Sequence, residues 1–309
     1  MNDQVEKKCA AIVGGGTMGT DIAAIFLSRG WNVHIVEPLE SRWTSALQRV
    51  NQSAEQLGGR TGEVGMHADM TDLPWEVLGI VVECIPEVLE QKKALFARLE
   101  KLAPRSLPLA SNSSSFPISD IGAGLGTRDR MLGLHFFMPA HLVPAVEVVR
   151  GEGTDQAIWE RCGELMRSLG KVPVMVRKDV PGFLANRLQH ALAREAFFMI
   201  ESGLASAEDV DAAVRFGFGL RYLAAGPVLQ KDIAGLDIHC AAAGTMYPSL
   251  ANNTVPSRVL SDKVAAGKLG MKTGEGFYQW TKESAAKERA RYEQALLEAL
   301  KVVKSDLPG

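Results

Sequence analysis

An apolar run, a glycine-rich turn and a helix-spaced segment open this chain, and together they constrain its fold more than any other feature. Residues 9–13 have the character of a buried strand, and residues 20–29 place apolar side chains at helical spacing. A second apolar run follows at residues 32–36, and the turn occupies residues 14–19. This order of segments predicts a β-α-β unit with two parallel strands.

The glycine turn has the pattern Gly14-x-Gly16-x-x-Gly19, which lets the backbone turn tightly and approach a pyrophosphate at a helix N-terminus. The residues that this turn would place against a cofactor are Gly14, Gly16, Thr17, Met18 and Gly19. Glu37 ends the second strand, where a carboxylate binds the adenosine ribose and repels a 2′-phosphate. Arg42, which would favour that phosphate, lies inside the next predicted helix. The sequence therefore predicts NAD rather than NADP.

Strands and helices continue to alternate up to about residue 180. The further elements predicted from apolar spacing are strands at residues 78–85, 107–110 and 172–176 and helices at residues 41–57 and 90–102. This alternation predicts an α/β fold of the Rossmann type, a doubly wound and mostly parallel sheet covered by helices on both faces. From residue 183 onward the pattern is almost wholly helical. We therefore expect an NAD-binding domain at residues 1–180 and an all-helical substrate and dimerisation domain at residues 181–309.

Composition excludes several classes of function. The net charge of −2 and the lack of a long basic stripe argue against a nucleic-acid partner. The four cysteines are scattered without a C-x-x-C pair, which predicts no metal site, no disulfide framework and a cytoplasmic location. The charged residues 1–8 and the short apolar run after them predict neither a signal peptide nor a membrane span.

A histidine and a glutamate lie on two neighbouring extended segments in the middle of the chain. His135 follows Gly133-Leu134, and Glu147 lies in the apolar run Ala145-Val146-Glu147. A histidine between apolar residues is usually a structural core residue. A histidine held by a carboxylate beside a nicotinamide, however, is the equipment of an alcohol dehydrogenase.

Further motifs surround this pair and settle its interpretation. The motifs are the glycine turn, a polar loop at residues 111–115, the His135/Glu147 pair, the segment around Asn186 and residues 272–278. Together they resemble the 3-hydroxyacyl-CoA dehydrogenase family from about residue 8 to residue 280. The resemblance implies a two-domain NAD-dependent oxidoreductase with its helical domain forming a homodimer.

The same resemblance implies a role for each matching residue. His135 would be the base that removes the hydroxyl proton, and Glu147 would orient its imidazole. Ser114 and Asn186 would hydrogen-bond the reacting oxygen of the substrate. The residues implied to line the cofactor are Glu87, Lys92 and Lys272.

Three features depart from the family pattern and bear on the substrate. The segment after Glu37 is shorter than in relatives that hold CoA there. The segment that contains Arg221 is similar to that of the gulonate and carnitine dehydrogenase branch, and an arginine there would bind a substrate carboxylate. Met138 stands where the family usually has asparagine, which gives a soft apolar wall suited to a flat substrate.

We therefore expect an NAD-dependent dehydrogenase that oxidises the hydroxyl or aldehyde carbon of a small free carboxylic acid. The narrower expectation is an activity like that of the relative that oxidises 5-formyl-3-hydroxy-2-methylpyridine-4-carboxylate in vitamin B6 degradation. One alternative is a 3-hydroxybutyryl-CoA or 3-hydroxyacyl-CoA dehydrogenase. Another, of a different class, is a non-catalytic NAD-binding or structural protein on the same scaffold.

Overall fold

Eight strands form one sheet in the computed structural model, which describes residues 8–307; the first seven residues of the charged N-terminal stretch lie outside the described part. The strands are β1 (Cys9–Val13), β2 (Asn32–Val36), β3 (Val64–His67), β4 (Ile80–Glu83), β5 (Leu109–Ser111), β6 (Met131–Phe136), β7 (Ala145–Arg150) and β8 (Val172–Val176). Their order across the sheet is β3-β2-β1-β4-β5-β6-β7-β8. Every neighbouring pair is parallel except β6 and β7. The prediction of a mostly parallel sheet is confirmed.

Helices cover both faces of this sheet and continue beyond it. The α-helices are α1 (Thr17–Ser28), α2 (Trp43–Gln56), α3 (Leu89–Leu102), α4 (Ile118–Ile121), α5 (Gln156–Ser168), α6 (Ala185–Glu201), α7 (Ala207–Ala212), α8 (Pro227–Ala234), α9 (Leu236–Met246), α10 (Arg258–Ala265) and α11 (Lys282–Val303). A π-helix (Ala213–Phe218) follows α7. Short 3-10 helices lie at Glu40–Arg42, Met70–Asp72, Trp75–Val77, Arg128–Arg130, Gly219–Leu223, Tyr247–Ser249 and Lys304–Asp306.

Several details of the N-terminal unit differ from the sequence expectations, which did not include helices α4 and α5. Helix α1 begins at Thr17, three residues before the predicted start at residue 20, because the helix opens inside the glycine turn itself. Strand β3 was not predicted, since its four residues are only partly buried and include Gly65 rather than an apolar run.

The sheet separates two apolar clusters. One packs α1 and α5 on the sheet, with Phe26 and Met166 fully buried in it, and the other packs α3 and α4 on the opposite face around Phe96 and Ile121. Burial on both faces explains why the central strands are continuous apolar runs rather than alternating ones. The polar ends of the strands are thereby left as the place for ligands.

The chain divides into two compact units, residues 8–187 together with residue 307, and Leu188–Asp306. The second unit is helical as expected, and Ser206 caps α7 by accepting a hydrogen bond from the Asp209 amide at 3.1 Å. The domain boundary that we place after residue 180 remains a prediction. Between residues 8 and 307, no helix combines the length and the apolar character needed to cross a bilayer.

Candidate active site

The glycine turn lies where β1 leads into α1, at the carboxyl edge of the sheet. Gly14 has a φ of +115°, and a Cβ there would lie 2.7 Å from the carbonyl oxygen of Cys84. A Cβ on Gly19 would lie 1.9 Å from the carbonyl oxygen of Gly14. Only glycine fits these two positions. Since Gly16 caps α1 without a side-chain hydrogen bond, the first amides of the helix remain available to a phosphate.

Glu37 lies directly against this turn at the end of β2. A Cβ on Gly15 would lie 2.9 Å from the Cβ of Glu37, so the carboxylate adjoins the site that the glycines form. Its Oε1 accepts a hydrogen bond from the Leu39 amide at 3.1 Å. A fixed carboxylate beside a phosphate-binding turn fits the ribose of NAD and disfavours the additional phosphate of NADP.

His135 and Glu147 face each other across the single antiparallel pairing of the sheet, between β6 and β7. The Nδ1 of His135 lies 2.7 Å from Glu147 Oε2, and the Nε2 lies 3.0 Å from the Ser114 hydroxyl. The histidine is only 3% exposed. Its ring packs edge-on against Phe137, with centroids 4.7 Å apart. The imidazole is therefore held at both nitrogens and by the Phe137 ring.

Glu147 also binds the beginning of α6 with its second oxygen. Its Oε1 accepts hydrogen bonds from the amides of Leu184 at 2.9 Å and Ala185 at 2.8 Å. Phe183, in the turn before these amides, is fully buried and has a φ of +48°. One carboxylate therefore joins His135 to the turn that precedes α6.

These contacts keep the Glu147 carboxylate ionised. Burial raises the pKa of Glu147, but the hydrogen bonds from His135 and from the Ala185 and Leu184 amides outweigh it and leave that pKa below its ordinary value. An ionised carboxylate only accepts hydrogen bonds, so the proton of a neutral His135 lies on Nδ1. Nε2 then carries the lone pair that a base requires, and in this structure it accepts the hydrogen bond of the Ser114 hydroxyl.

Ser114 is held by the loop that follows β5. The Oε1 of Glu87 accepts hydrogen bonds from the Ser113 hydroxyl at 2.7 Å, from the Ser114 amide at 3.0 Å and from the Ser115 amide at 2.8 Å. Asn186 adds a hydrogen bond from its Nδ2 to the Ser114 carbonyl oxygen at 3.1 Å. The structure thus brings together the four residues expected to be catalytic, His135, Glu147, Ser114 and Asn186.

An ion-pair network around the buried Lys92 supports this loop. Lys92, 1% exposed, donates to Glu83 Oε1 at 2.7 Å and lies 3.2 Å from Glu87 Oε2. Glu83 in turn accepts a hydrogen bond from the Ser111 hydroxyl at 2.6 Å. Glu87 and Lys92 are therefore tied to the Ser114 loop, and their predicted contact with the cofactor remains a prediction.

Sequence reasoning missed two residues of this region. Glu83 is a fully buried acid at the end of an otherwise apolar strand, which was the available signal. Asn112 accepts a hydrogen bond from the Phe136 amide at 2.9 Å and so aligns the end of β6 with the serine loop. Nothing in the local pattern distinguishes it from the polar residues around it.

The residues expected to contact substrate lie in both units. Met138 is 65% exposed in the segment that follows β6, three residues after His135. Arg221 and Lys272 belong to the second unit and are exposed there, Arg221 in the 3-10 helix after the π-helix. The contacts expected of these three residues remain predictions.

A doubly wound sheet with this turn, carboxylate and buried histidine defines an NAD-dependent oxidoreductase. Comparison with known families agrees with that class. The NAD binding domain of 3-hydroxyacyl-CoA dehydrogenase matches residues 9–180, and the C-terminal domain of the same family matches residues 182–280. The chain belongs to the 3-hydroxyacyl-CoA dehydrogenase family and is an NAD-dependent dehydrogenase.

Individual relatives divide between two kinds of substrate. The 5-formyl-3-hydroxy-2-methylpyridine 4-carboxylate 5-dehydrogenase of Mesorhizobium japonicum is 34% identical over 91% of this chain and 94% of its own. The human mitochondrial hydroxyacyl-coenzyme A dehydrogenase is also 34% identical, over 88% of this chain and 91% of its own. A crystal structure of a 5-formyl-3-hydroxy-2-methylpyridine 4-carboxylic acid 5-dehydrogenase, described as an NAD+ dependent dismutase, is similar with a TM-score of 0.91 at 30% identity, covering 96% of this chain and 98% of its own.

Proposed function

We propose that this protein oxidises the aldehyde or hydroxyl carbon of a small free carboxylic acid, with a formylpyridine carboxylate as the narrower choice. The observation that carries the proposal is the hydrogen-bonded chain from Glu147 through His135 to Ser114. The likeness to the 5-formyl-3-hydroxy-2-methylpyridine 4-carboxylate enzyme supports the narrower choice.

In this proposal His135 is the general base. Its Nε2 accepts the proton of a substrate hydroxyl, and the resulting imidazolium is stabilised by the Glu147 carboxylate at 2.7 Å. NAD, when bound, supplies the hydride acceptor. For an aldehyde, the hydroxyl is that of the hydrated form, so loss of one proton and one hydride leaves a carboxylic acid. Ser114 and Asn186 orient the oxygen that loses its proton.

The residues around the base favour a flat substrate. Phe137 lies against the His135 ring and Met138 is exposed beyond it, which gives an apolar wall rather than a polar contact. In this proposal Arg221 pairs with the carboxylate of the substrate. A second candidate, a 3-hydroxyacyl-CoA substrate, is favoured by the equal identity to the human hydroxyacyl-coenzyme A dehydrogenase.

A substrate panel tests the proposal directly. We expect NADH to form with the formylpyridine carboxylate and with other aldehyde or hydroxy acids, at rates well above those with an acyl-CoA such as 3-hydroxybutyryl-CoA. The reverse order would establish the second candidate. No turnover with any of them, together with NAD binding, would contradict the proposal and support the non-catalytic alternative.

A variant tests the role of His135. We expect His135→Gln to abolish turnover while the dissociation constant for NAD stays near that of the wild type, since the glycine turn and Glu37 are unchanged. Retained turnover would remove His135 from the mechanism.

We also propose that the protein is a homodimer formed by the second unit. Within residues 188–306 only two apolar side chains, Val210 and Ala285, are buried. Large apolar side chains there are 71–77% exposed, at Leu204, Phe216, Val228 and Ile233. So much exposed apolar surface is typical of a surface covered by a partner. Light scattering after size-exclusion chromatography should give twice the chain mass of 33.4 kDa.

The cytoplasmic location proposed from the sequence is supported by the cysteines. All four are free, and Cys9 and Cys162 are buried thiols. Such cysteines are typical of a reducing compartment.

A further inference from the structure

A second cluster of buried charged side chains lies at the edge of the sheet where β6 ends and takes no part in the mechanism above. Its members are Asp21 of α1, His141 of the segment joining β6 to β7, and Lys171, which directly precedes β8; each is at most 7% exposed. Strand β7 runs antiparallel to β6, and β8 runs parallel to β7. The start of β8 therefore lies at the same edge of the sheet as the end of β6.

The side chain of Lys171 binds backbone carbonyl groups of the joining segment, residues 137–144. Its Nζ donates hydrogen bonds to the carbonyl oxygens of Ala140 at 2.7 Å, His141 at 3.2 Å and Val143 at 2.9 Å. An ammonium group has three N–H donors, and all three are used. The segment that receives them begins two residues after His135 and includes Met138.

The side chain of His141 ties the same segment to α2 and lies against α1. Its Nδ1 lies 3.2 Å from Asp21 Oδ2 on α1, and its Nε2 hydrogen-bonds the side-chain oxygen of Gln56 on α2. Asp21 also accepts hydrogen bonds from Arg49 at 3.1 Å and Ser53 at 3.0 Å. Burial raises the pKa of Asp21, but the contacts from His141, Arg49 and Ser53 outweigh it and keep that pKa below its ordinary value. The Asp21 carboxylate therefore lies beside the His141 ring, and the hydrogen bond that fixes the ring is the one to Gln56.

We propose that Lys171 and His141 are positioning residues that fix the segment 137–144, and with it Phe137 and Met138, beside the base His135. The inference rests on the proposed placement of substrate against these two side chains. His135 itself belongs to β6 and is held by the sheet, by Glu147 and by Ser114. Loss of Lys171 or His141 therefore acts on substrate binding more than on the base.

The protonation of Lys171 sets the condition for the test. Burial lowers the pKa of Lys171 to about 7, the nearby Asp21 opposes this lowering, and Arg29 adds to it. His141 contributes its ring to the same cluster. At about pH 6 Lys171 carries the three donors that its partners require.

The test compares two buried cations that make the same kind of contact. Arg130 is 2% exposed and donates to the carbonyl oxygens of Pro104 at 2.7 Å, Leu107 at 3.0 Å and Ala103 at 3.3 Å, at the opposite edge of the sheet. Lys171→Met and Arg130→Met each leave three carbonyl groups without their cation. Both should lower the melting temperature, so Arg130→Met controls for general destabilisation.

At pH 6 and well below both melting temperatures, Lys171→Met should raise the KM for an accepted acid by about tenfold or more, because small displacements of substrate-contacting groups have effects of this size. The kcat and the dissociation constant for NAD should each change less than about threefold, since the base and the glycine turn keep their contacts. Arg130→Met should leave all three constants near those of the wild type.

Amide hydrogen exchange is a second measurement and needs no substrate. His141→Phe is a second variant, which keeps the test possible if Lys171→Met does not fold. Amide hydrogen exchange in residues 137–144 should accelerate in Lys171→Met and in His141→Phe but not in Arg130→Met. Unchanged exchange in both, or an equal rise of KM in Arg130→Met, would overturn the inference. Failure of the proposed function is a different result, namely full turnover in His135→Gln with exchange behaving as described.

Discussion

Replacing Glu147 with glutamine tests the catalytic pair most sharply, because the substitution keeps the shape of the side chain and removes one acceptor. Glu147 now accepts from His135 with one oxygen and from the amides of Leu184 and Ala185 with the other. A glutamine side chain has a single oxygen and a donating NH2 group. Only one of the two partners can therefore keep an acceptor.

Hydrogen-bond energies decide which partner keeps the oxygen. Facing the oxygen toward the Leu184 and Ala185 amides preserves two hydrogen bonds, each worth about 1 kcal/mol, and avoids two buried unpaired N–H groups at about 1–3 kcal/mol each. The NH2 group then faces His135 and makes its Nδ1 the acceptor. The ring proton moves to Nε2, where a base needs a lone pair. The corresponding change in serine protease triads lowers kcat by about 10⁴, or about 5 kcal/mol in the barrier.

We therefore expect Glu147→Gln to lower kcat by about 10³–10⁴ with a dissociation constant for NAD near that of the wild type. Stopped-flow measurement of NADH formation in a single turnover isolates the chemical step. Glu160→Gln, an exposed position on α5 whose carboxylate accepts from Gln156 at 2.8 Å, is the matched control. A kcat within about tenfold of the wild type would refute the assignment of the tautomer to Glu147.

Three further predictions concern charge, backbone and pH. Arg221→Met should raise the KM for a carboxylate substrate by about tenfold to a hundredfold, because one charged hydrogen bond is lost. The KM for the matching aldehyde without a carboxylate should not change. Steady-state kinetics with both compounds checks this, and an unchanged KM for the carboxylate substrate would refute the contact. Gly14→Ala should lower the melting temperature or weaken NAD binding measured by calorimetry, because a Cβ would lie 2.7 Å from the Cys84 carbonyl oxygen and φ is +115°. Wild-type values of both the melting temperature and the NAD affinity would contradict the requirement for glycine at this position. The pKa of Glu147 is lowered in the folded protein, so its contribution to stability is present above about pH 4.5 and is lost as pH falls through the folded value. In urea denaturation, the free energy of unfolding should fall less between about pH 6 and pH 3 in Glu147→Gln than in the wild type.

The sequence predicted those parts of the fold that depend on local pattern. The unit from β1 to β2 and the glycine turn have spacing that few other folds would require. The cross-strand pairing of His135 with Glu147 follows from two adjacent apolar segments, each with one titratable residue. Strand β3 carries no such pattern, because it lies at the edge of the sheet and is only partly buried.

Contacts between distant segments were beyond the reach of the sequence. Asp21, His141 and Lys171 are far apart along the chain and meet only because β7 reverses direction and brings the start of β8 to the ligand edge. The hydrogen bond from Ser111 to Glu83 likewise depends on the pairing of β4 with β5. A motif identifies such residues as present but does not say which of them touch.

The two-sided contact of Glu147 has a consequence for building hybrid enzymes. A designer who wishes to change the substrate would exchange the helical unit for that of a relative and join the chains near residue 187. The Leu184 and Ala185 amides, directly before and at the start of α6, hold Glu147, so the residues from Phe183 to Asn186 must stay with the sheet that carries His135. A junction placed a few residues earlier, in the turn at Pro181 and Gly182, would transplant the donors of one protein onto the carboxylate of another. The tolerable crossover point is thus set by the hydrogen bonds of a catalytic side chain rather than by the boundary between domains.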